Sequence, residues 1–128
     1  MPKLDALGLV VADMGEAIDF YRQLGLEFTM GGGANDHAEA ISPGGLRIML
    51  DTEASVKSFS DWQPASGGPR SSLAFLCEGP AEVNRLYLEL IGRGARSHLA
   101  PFDAPWGQRY ASVLDPSGNG VDLFAPTR

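Results

Sequence analysis

Two histidines, His37 and His98, and one cysteine, Cys77, supply all the imidazole and thiol groups in the 128-residue chain. His37 stands two positions before Glu39, a spacing that puts both side chains on one face of a strand, where imidazole and carboxylate could act as general acid and base. The competing reading is a pair of solvated side chains on an edge strand next to Gly31-Gly32-Gly33. That triplet is not a phosphate loop, because it lacks the Lys-Ser/Thr that completes one. His98 reads as a satisfied polar residue near a strand end, and Cys77 as core packing rather than a nucleophile. Asp122 has two readings: a cavity anion that pairs with a ligand cation, or an inward polar residue bonded to Ser112 or water.

The aromatic residues suggest binding. Phe59 and Trp62 fall in a central linker, Phe102 and Trp106 in a Pro-rich loop, and Tyr110 opens an inward-facing strand. Rigid rings on loops clamp planar ligands by stacking and add cation–π attraction when the ligand is charged. The alternative is that they cover an interface or plug an open cavity.

The elements that must position these residues come from a duplication. A shift of 66 positions brings Leu7 onto Leu73, Glu16 onto Glu82, Tyr21 onto Tyr87 and Leu24 onto Leu90. Both copies begin with a short apolar strand, Leu7 to Val11 and Leu73 to Cys77, and continue into a helix. Asp13 and Glu16 have capping-box spacing, Pro80 suits a first helical position, and Gly25 with Gly92 or Gly94 supplies the stops. Hairpins follow, around Ser42-Pro43-Gly44-Gly45 and around Asp115-Pro116-Ser117-Gly118-Asn119. Shorter strands near residues 26–30 and 95–100 complete two βαβββ modules. The chain therefore reads as one α+β domain over residues 1–128, with modules 1–57 and 71–126 joined by a linker 58–70. The stretch 52–70, rich in Ser, Gly and Pro, is read as loop throughout.

Strand alternation assigns the faces. If Ser112 pairs with Asp122, then Ala111, Val113, Val121 and Leu123 sit under a helix, while Tyr110, Ser112, Asp122 and Phe124 face the other way. The same logic buries Ala38, Ala40, Ile48 and Leu50, and turns His37, Glu39, Ile41, Arg47, Met49 and Asp51 to the opposite front.

Composition excludes several classes. The net charge is −6, with 16 acidic against 10 basic residues, and no basic cluster stands ready to replace the counterions of a nucleic acid or meet an anionic membrane. Gly 16 and Pro 9 make about one residue in five, which calls for many turns without implying low complexity. No apolar run is long enough to span a bilayer, and no secretory h-region is evident at the start. A lone cysteine cannot form an internal disulfide, so a reducing cytoplasm is the expected location.

The segment 4–13 (LDALGLVVAD), the Phe20-Tyr21 pair with Leu24-Gly25-Leu26, and 115–123 (DPSGNGVDL) resemble the glyoxalase/bleomycin-resistance/extradiol-dioxygenase family, the vicinal oxygen chelate proteins. The resemblance covers nearly the whole chain. It implies paired βαβββ modules whose mixed sheets form a cup with the helices outside, and a homodimer. In metal-using members the ligands come from the first and fourth strands of each module, and the matching positions here are Ala6, Met49, Ser72 and Asp122. Alanine has no donor, a thioether and a neutral hydroxyl are poor ligands for Fe, Zn or Ni, and neither histidine falls at these positions. The expectation is therefore no metal and no cofactor. The expected role is a binding protein of the bleomycin-resistance type, sequestering an aromatic compound such as an antibiotic, with a cationic one allowed by the acidic charge. Its expected ligand contacts are Met49, Trp62, Ser72, Phe102, Trp106, Tyr110, Ser112 and Asp122. The alternatives are a metal-dependent lyase, isomerase or dioxygenase of the same superfamily, and a metal-free enzyme using His37 and Glu39.

Overall fold

The computed structural model describes residues 1–31 and 35–127. Gly32 and Gly33, on which the phosphate-loop question turned, lie outside the described residues. The chain divides into two compact units, Met1–Pro64 and Ala65–Arg128. The first unit contains β1 (Ala6–Val11), α1 (Met14–Arg22), β2 (Thr29–Gly31), β3 (His37–Ile41), β4 (Arg47–Thr52) and α2 (Glu53–Lys57). The second contains β5 (Ser72–Leu76), α3 (Pro80–Gly92), β6 (Arg96–Ala104), β7 (Gln108–Leu114) and β8 (Gly120–Pro126).

Each unit builds a four-stranded mixed sheet, in the orders β1-β4-β3-β2 and β5-β8-β7-β6. The first strand of each runs parallel to the last, and the remaining pairings are antiparallel. A parallel neighbour needs a crossover, which explains why a helix follows each first strand. The repeat is repeated in register: Gly8 pairs with Met49 as Ala74 pairs with Asp122.

Ser112 pairs with Asp122, as the alternation required. Ala111, Val113, Val121 and Leu123 are fully buried, and α3 packs over β6, β7 and β8. In the first unit Ala38, Ala40, Ile48 and Leu50 form the equivalent buried back. Burying a side chain such as Leu50 or Leu123 contributes roughly 1.5–3 kcal/mol, and a slip of one residue would turn all four core residues of either hairpin outward.

Local chemistry ends the elements where expected. The Asp13 carboxylate accepts the Glu16 N–H at 2.9 Å to cap α1, and Pro80 occupies the first turn of α3. The Asp115 carboxylate, almost wholly buried, accepts the backbone N–H groups of Ser117 and Asn119 at 2.8 and 2.9 Å and the Asn119 amide at 3.0 Å. Gly118, at φ +91°, completes that turn in a conformation that favours glycine.

Four expectations need correction. The stretch after Thr52 is not all loop: the Thr52 hydroxyl caps the short helix α2 by accepting the Ser55 N–H at 3.2 Å. Phe102 lies within β6 rather than in a Pro-rich loop, because β6 tolerates Pro101 through irregular pairing between Leu99 and Phe102. His37 is not on an edge strand, since β2 pairs outside β3. Alternation along the first strand also puts Leu7 and Leu9 on the helix-facing side, yet Leu7 is 37% exposed, on a strand that ends its sheet.

Gly120 governs the close approach of β5 and β8: a Cβ there would lie 2.9 Å from the Ser71 carbonyl oxygen and 3.0 Å from the Ser72 Cβ. Gly120→Ala should therefore lower unfolding free energy by about 1–3 kcal/mol. Gly44→Ala, in open space at ordinary φ, should change it by less than about 0.5 kcal/mol. Equilibrium urea denaturation of both variants checks the contrast, and equal effects would contradict the packing described.

Candidate functional site

The front of the second sheet holds an open cleft of about 240 Å³. Ser72, Tyr110, Ser112 and Asp122, four of the expected ligand contacts, line it together with Pro69, Arg70, Ser71, His98, Leu99, Leu114 and Gly120. Asp122 is its carboxylate. The Ser72 hydroxyl donates to Asp122 Oδ2 at 2.8 Å, and the Tyr110 phenol also hydrogen-bonds this carboxylate. Of the two readings of Asp122, the one with a bond to Ser112 is not the arrangement found: Ser112, nearly buried, donates instead to the Val121 carbonyl at 3.3 Å. Burial, followed by the Asp122 bond and charge, pushes the Tyr110 phenol up to about 12.

Tyr110 links the cleft to an aromatic cluster. Its ring lies 5.5 Å from that of Trp106 and 5.9 Å from that of Phe102, with Phe102 and Trp106 6.3 Å apart, all edge-to-face. The Trp106 indole donates to the Gln108 side chain at 2.8 Å and is 60% exposed. Such rings prefer edge-to-face arrangements because the positive edge of one meets the negative face of the next.

The first unit carries the other expected residues. The Met49 methyl lies 3.7 Å from the position a Gly8 Cβ would take, so the thioether fills the space that glycine leaves. Trp62 is already engaged by a cation, with the Lys57 ammonium 5.8 Å from its ring centre. His37 and Glu39 do meet, at 2.7 Å, but as part of a longer chain of charges. The other His37 ring nitrogen lies 2.5 Å from Asp51, and Arg47 bonds both Glu39, at 2.5 Å, and Asp5, at 2.7 Å. The Glu39 and Asp51 bonds raise the His37 pKa above its ordinary value, against a smaller opposing effect of burial. His37 and then Arg47 lower that of Glu39. With a carboxylate on each ring nitrogen, the His37 imidazole is tied into this chain of contacts rather than left free in a cavity. Cys77 is buried, and burial followed by nearby Glu82 raises its pKa, the reverse of an activated thiol.

His98 was missed. It is the extra residue of a bulge, since Ser97 pairs with Val113 and Leu99 with Ser112, and it lines the cleft instead of closing a strand end. No alternation rule in the sequence marks a bulge; Pro101 three residues on, unable to donate to a ladder, was the available signal that pairing here is irregular.

A family model, the Glyoxalase/Bleomycin resistance protein/Dioxygenase superfamily, matches residues 3–123. The chain belongs to that superfamily. The fold is similar to that of a glyoxalase/bleomycin resistance protein/dioxygenase family enzyme from Burkholderia phytofirmans PsJN, with TM-score 0.83, 19% identity, and 98% of this chain and 99% of that one covered. It is similar also to a hypothetical protein from S. aureus, with TM-score 0.82, 16% identity and coverage of 98% and 94%. A glyoxalase/bleomycin resistance protein/dioxygenase from Nocardioides gives TM-score 0.71, 23% identity and coverage of 98% and 84%. No curated protein sequence matches the chain. No helix of the described residues is long and apolar enough to cross a membrane.

The metal that the family resemblance implies for some members does not fit the residues present. Ala6 and Met49 offer no suitable donor, and the Ser72 hydroxyl is bound to Asp122 as a donor. Among the described residues no group of three His, Cys, Asp or Glu side chains is placed to hold an ion.

Two titrations test this electrostatic picture. A phenol that keeps its proton to about pH 12 binds it more tightly than an unfolded tyrosine near 10. Its contribution to stability should be full below about pH 10 and lost as pH rises through about 12. Ultraviolet titration should show a late phenol near pH 12 that Tyr110→Phe removes. The raised His37 pKa has the same sign: its stabilisation is full below about 6.5 and fades as pH rises through the elevated value. NMR should place the His37 midpoint above the ordinary value and show Glu39→Gln lowering it; an unmoved midpoint would contradict the ring of contacts.

Proposed function

We propose that the chain is a metal-independent binding protein that takes up an aromatic small molecule in the cleft of its second module. Asp122 would receive a positively charged or hydrogen-bond-donating group, and the ring would lie against Tyr110 and the Phe102–Trp106 pair. No bond is made or broken; sequestration protects by lowering the free concentration of a harmful compound such as an antibiotic. The observation that carries this reading is the state of Asp122. A carboxylate at a metal-ligand position of the family is held by two hydroxyls, and among the described residues no group of three His, Cys, Asp or Glu side chains gathers there to hold an ion. The reading extends to a cytoplasmic homodimer, supported by the unpaired Cys77 and by the family resemblance.

Ligand binding raises the melting temperature in proportion to occupancy. A panel of aromatic cations, including intercalating and glycopeptide antibiotics, should contain compounds that raise it and quench Trp106 fluorescence. Asp122→Asn should weaken such a compound about tenfold or more, in line with the roughly 1.5–3 kcal/mol of a charged hydrogen bond. A panel without any shift, together with about one transition-metal ion per purified chain that Asp122→Ala removes, would replace this reading with the metal-dependent enzyme.

A further inference from the structure

The cleft that holds Asp122 is also lined by two nitrogen-bearing side chains that pair with none of the described residues. Arg70 and His98 both line it, both are exposed, and neither makes a hydrogen bond or ion pair with any described residue. His98 reaches this position through the β6 bulge. Regular alternation would send His98 and Leu99 to opposite faces, yet both line the cleft, because the extra residue resets the pleat. Bulges re-aim side chains in this way beside binding sites. The opposite pole is already organised, since Ser72 and Tyr110 hold Asp122 from the cleft wall.

We infer that the cleft selects a one-ring zwitterion, with an ammonium or similar donor on Asp122 and a carboxylate or other acidic group on Arg70 and His98. The inference rests on the ligand-binding reading above and narrows it. Size supports a small ligand: about 240 Å³ falls below the roughly 300–1,000 Å³ of pockets that enclose drug-sized molecules. Charge supports a two-ended one. A purely cationic ligand leaves the guanidinium without a partner, and a purely anionic one sets its acid group against Asp122. Arginine grips carboxylates through two parallel N–H groups, so the second pole adds orientation as well as affinity.

Three soluble probes share one ring and differ in charge: phenethylamine, phenylalanine and 3-phenylpropionate. Isothermal titration calorimetry on the intact chain should show phenylalanine binding at least tenfold more tightly than either of the others. Arg70→Gln, at an exposed residue that pairs with none of the described residues, should leave the melting temperature of the ligand-free chain unchanged and erase the advantage of phenylalanine over phenethylamine. His98→Gln should reduce that advantage by a smaller factor. If phenethylamine binds the native chain as tightly as phenylalanine, and Arg70→Gln alters neither, the second pole is wrong while the binding reading survives. If none of the three binds at millimolar concentration and the cationic panel is equally silent, the binding reading itself fails and takes this inference with it.

Discussion

The burial of Ala111, Val113, Val121 and Leu123 beneath α3 is the interaction on which the rest of the second module depends. Side chains alternate strictly along a strand, so fixing these four inward fixes Tyr110, Ser112 and Asp122 on the other face. That burial outweighs any local preference of the polar residues: a one-residue slip would cost several kcal/mol of apolar burial and place a carboxylate under the helix. The candidate site is therefore a consequence of the core, in that its polar groups are what remains on a sheet whose back is dry.

The two modules use one plan to different chemical ends. Glu39 and Ser112 occupy the same place in their hairpins, paired with Met49 and Asp122 respectively. In the first module this front became a relay of ion pairs, Asp51–His37–Glu39–Arg47–Asp5, in which every charge faces an opposite one. In the second it became a carboxylate held by two hydroxyls beside a cluster of rings. Charges satisfied among themselves have little left for a ligand, whereas Asp122 lines an open cleft. Duplicated architecture thus separates a face of mutually paired charges from one that lines an open cleft.

Turn chemistry makes this division durable. Buried Asp115 gathers the backbone N–H groups of its own hairpin turn, and backbone bonds among Ser42, Gly45 and Leu46 close the equivalent turn in the first module. With both hairpins pinned at the tip and covered on the back, the parallel first strand has one register in which to dock. At Gly120 that docking is close enough to exclude a side chain, which is how Ser72 comes within 2.8 Å of Asp122.

The sequence by itself determined what is periodic or local: the duplication, the alternating faces of both hairpins, the Asp13 and Pro80 helix starts, the Gly118 turn, and the lack of a suitable metal donor at Ala6, Met49 and Ser72. Each follows from residue type at fixed spacing, because pleat, helical turn and capping bond act over only a few residues. Tertiary structure alone decided which partner Asp122 took, that β2 would cover β3 so that His37 is no edge residue, that Phe102 would be strand, and that a bulge would swing His98 into the cleft. Those outcomes depend on pairing between distant segments, where a hydroxyl, carboxylate or imidazole has several partners of similar strength and geometry selects among them.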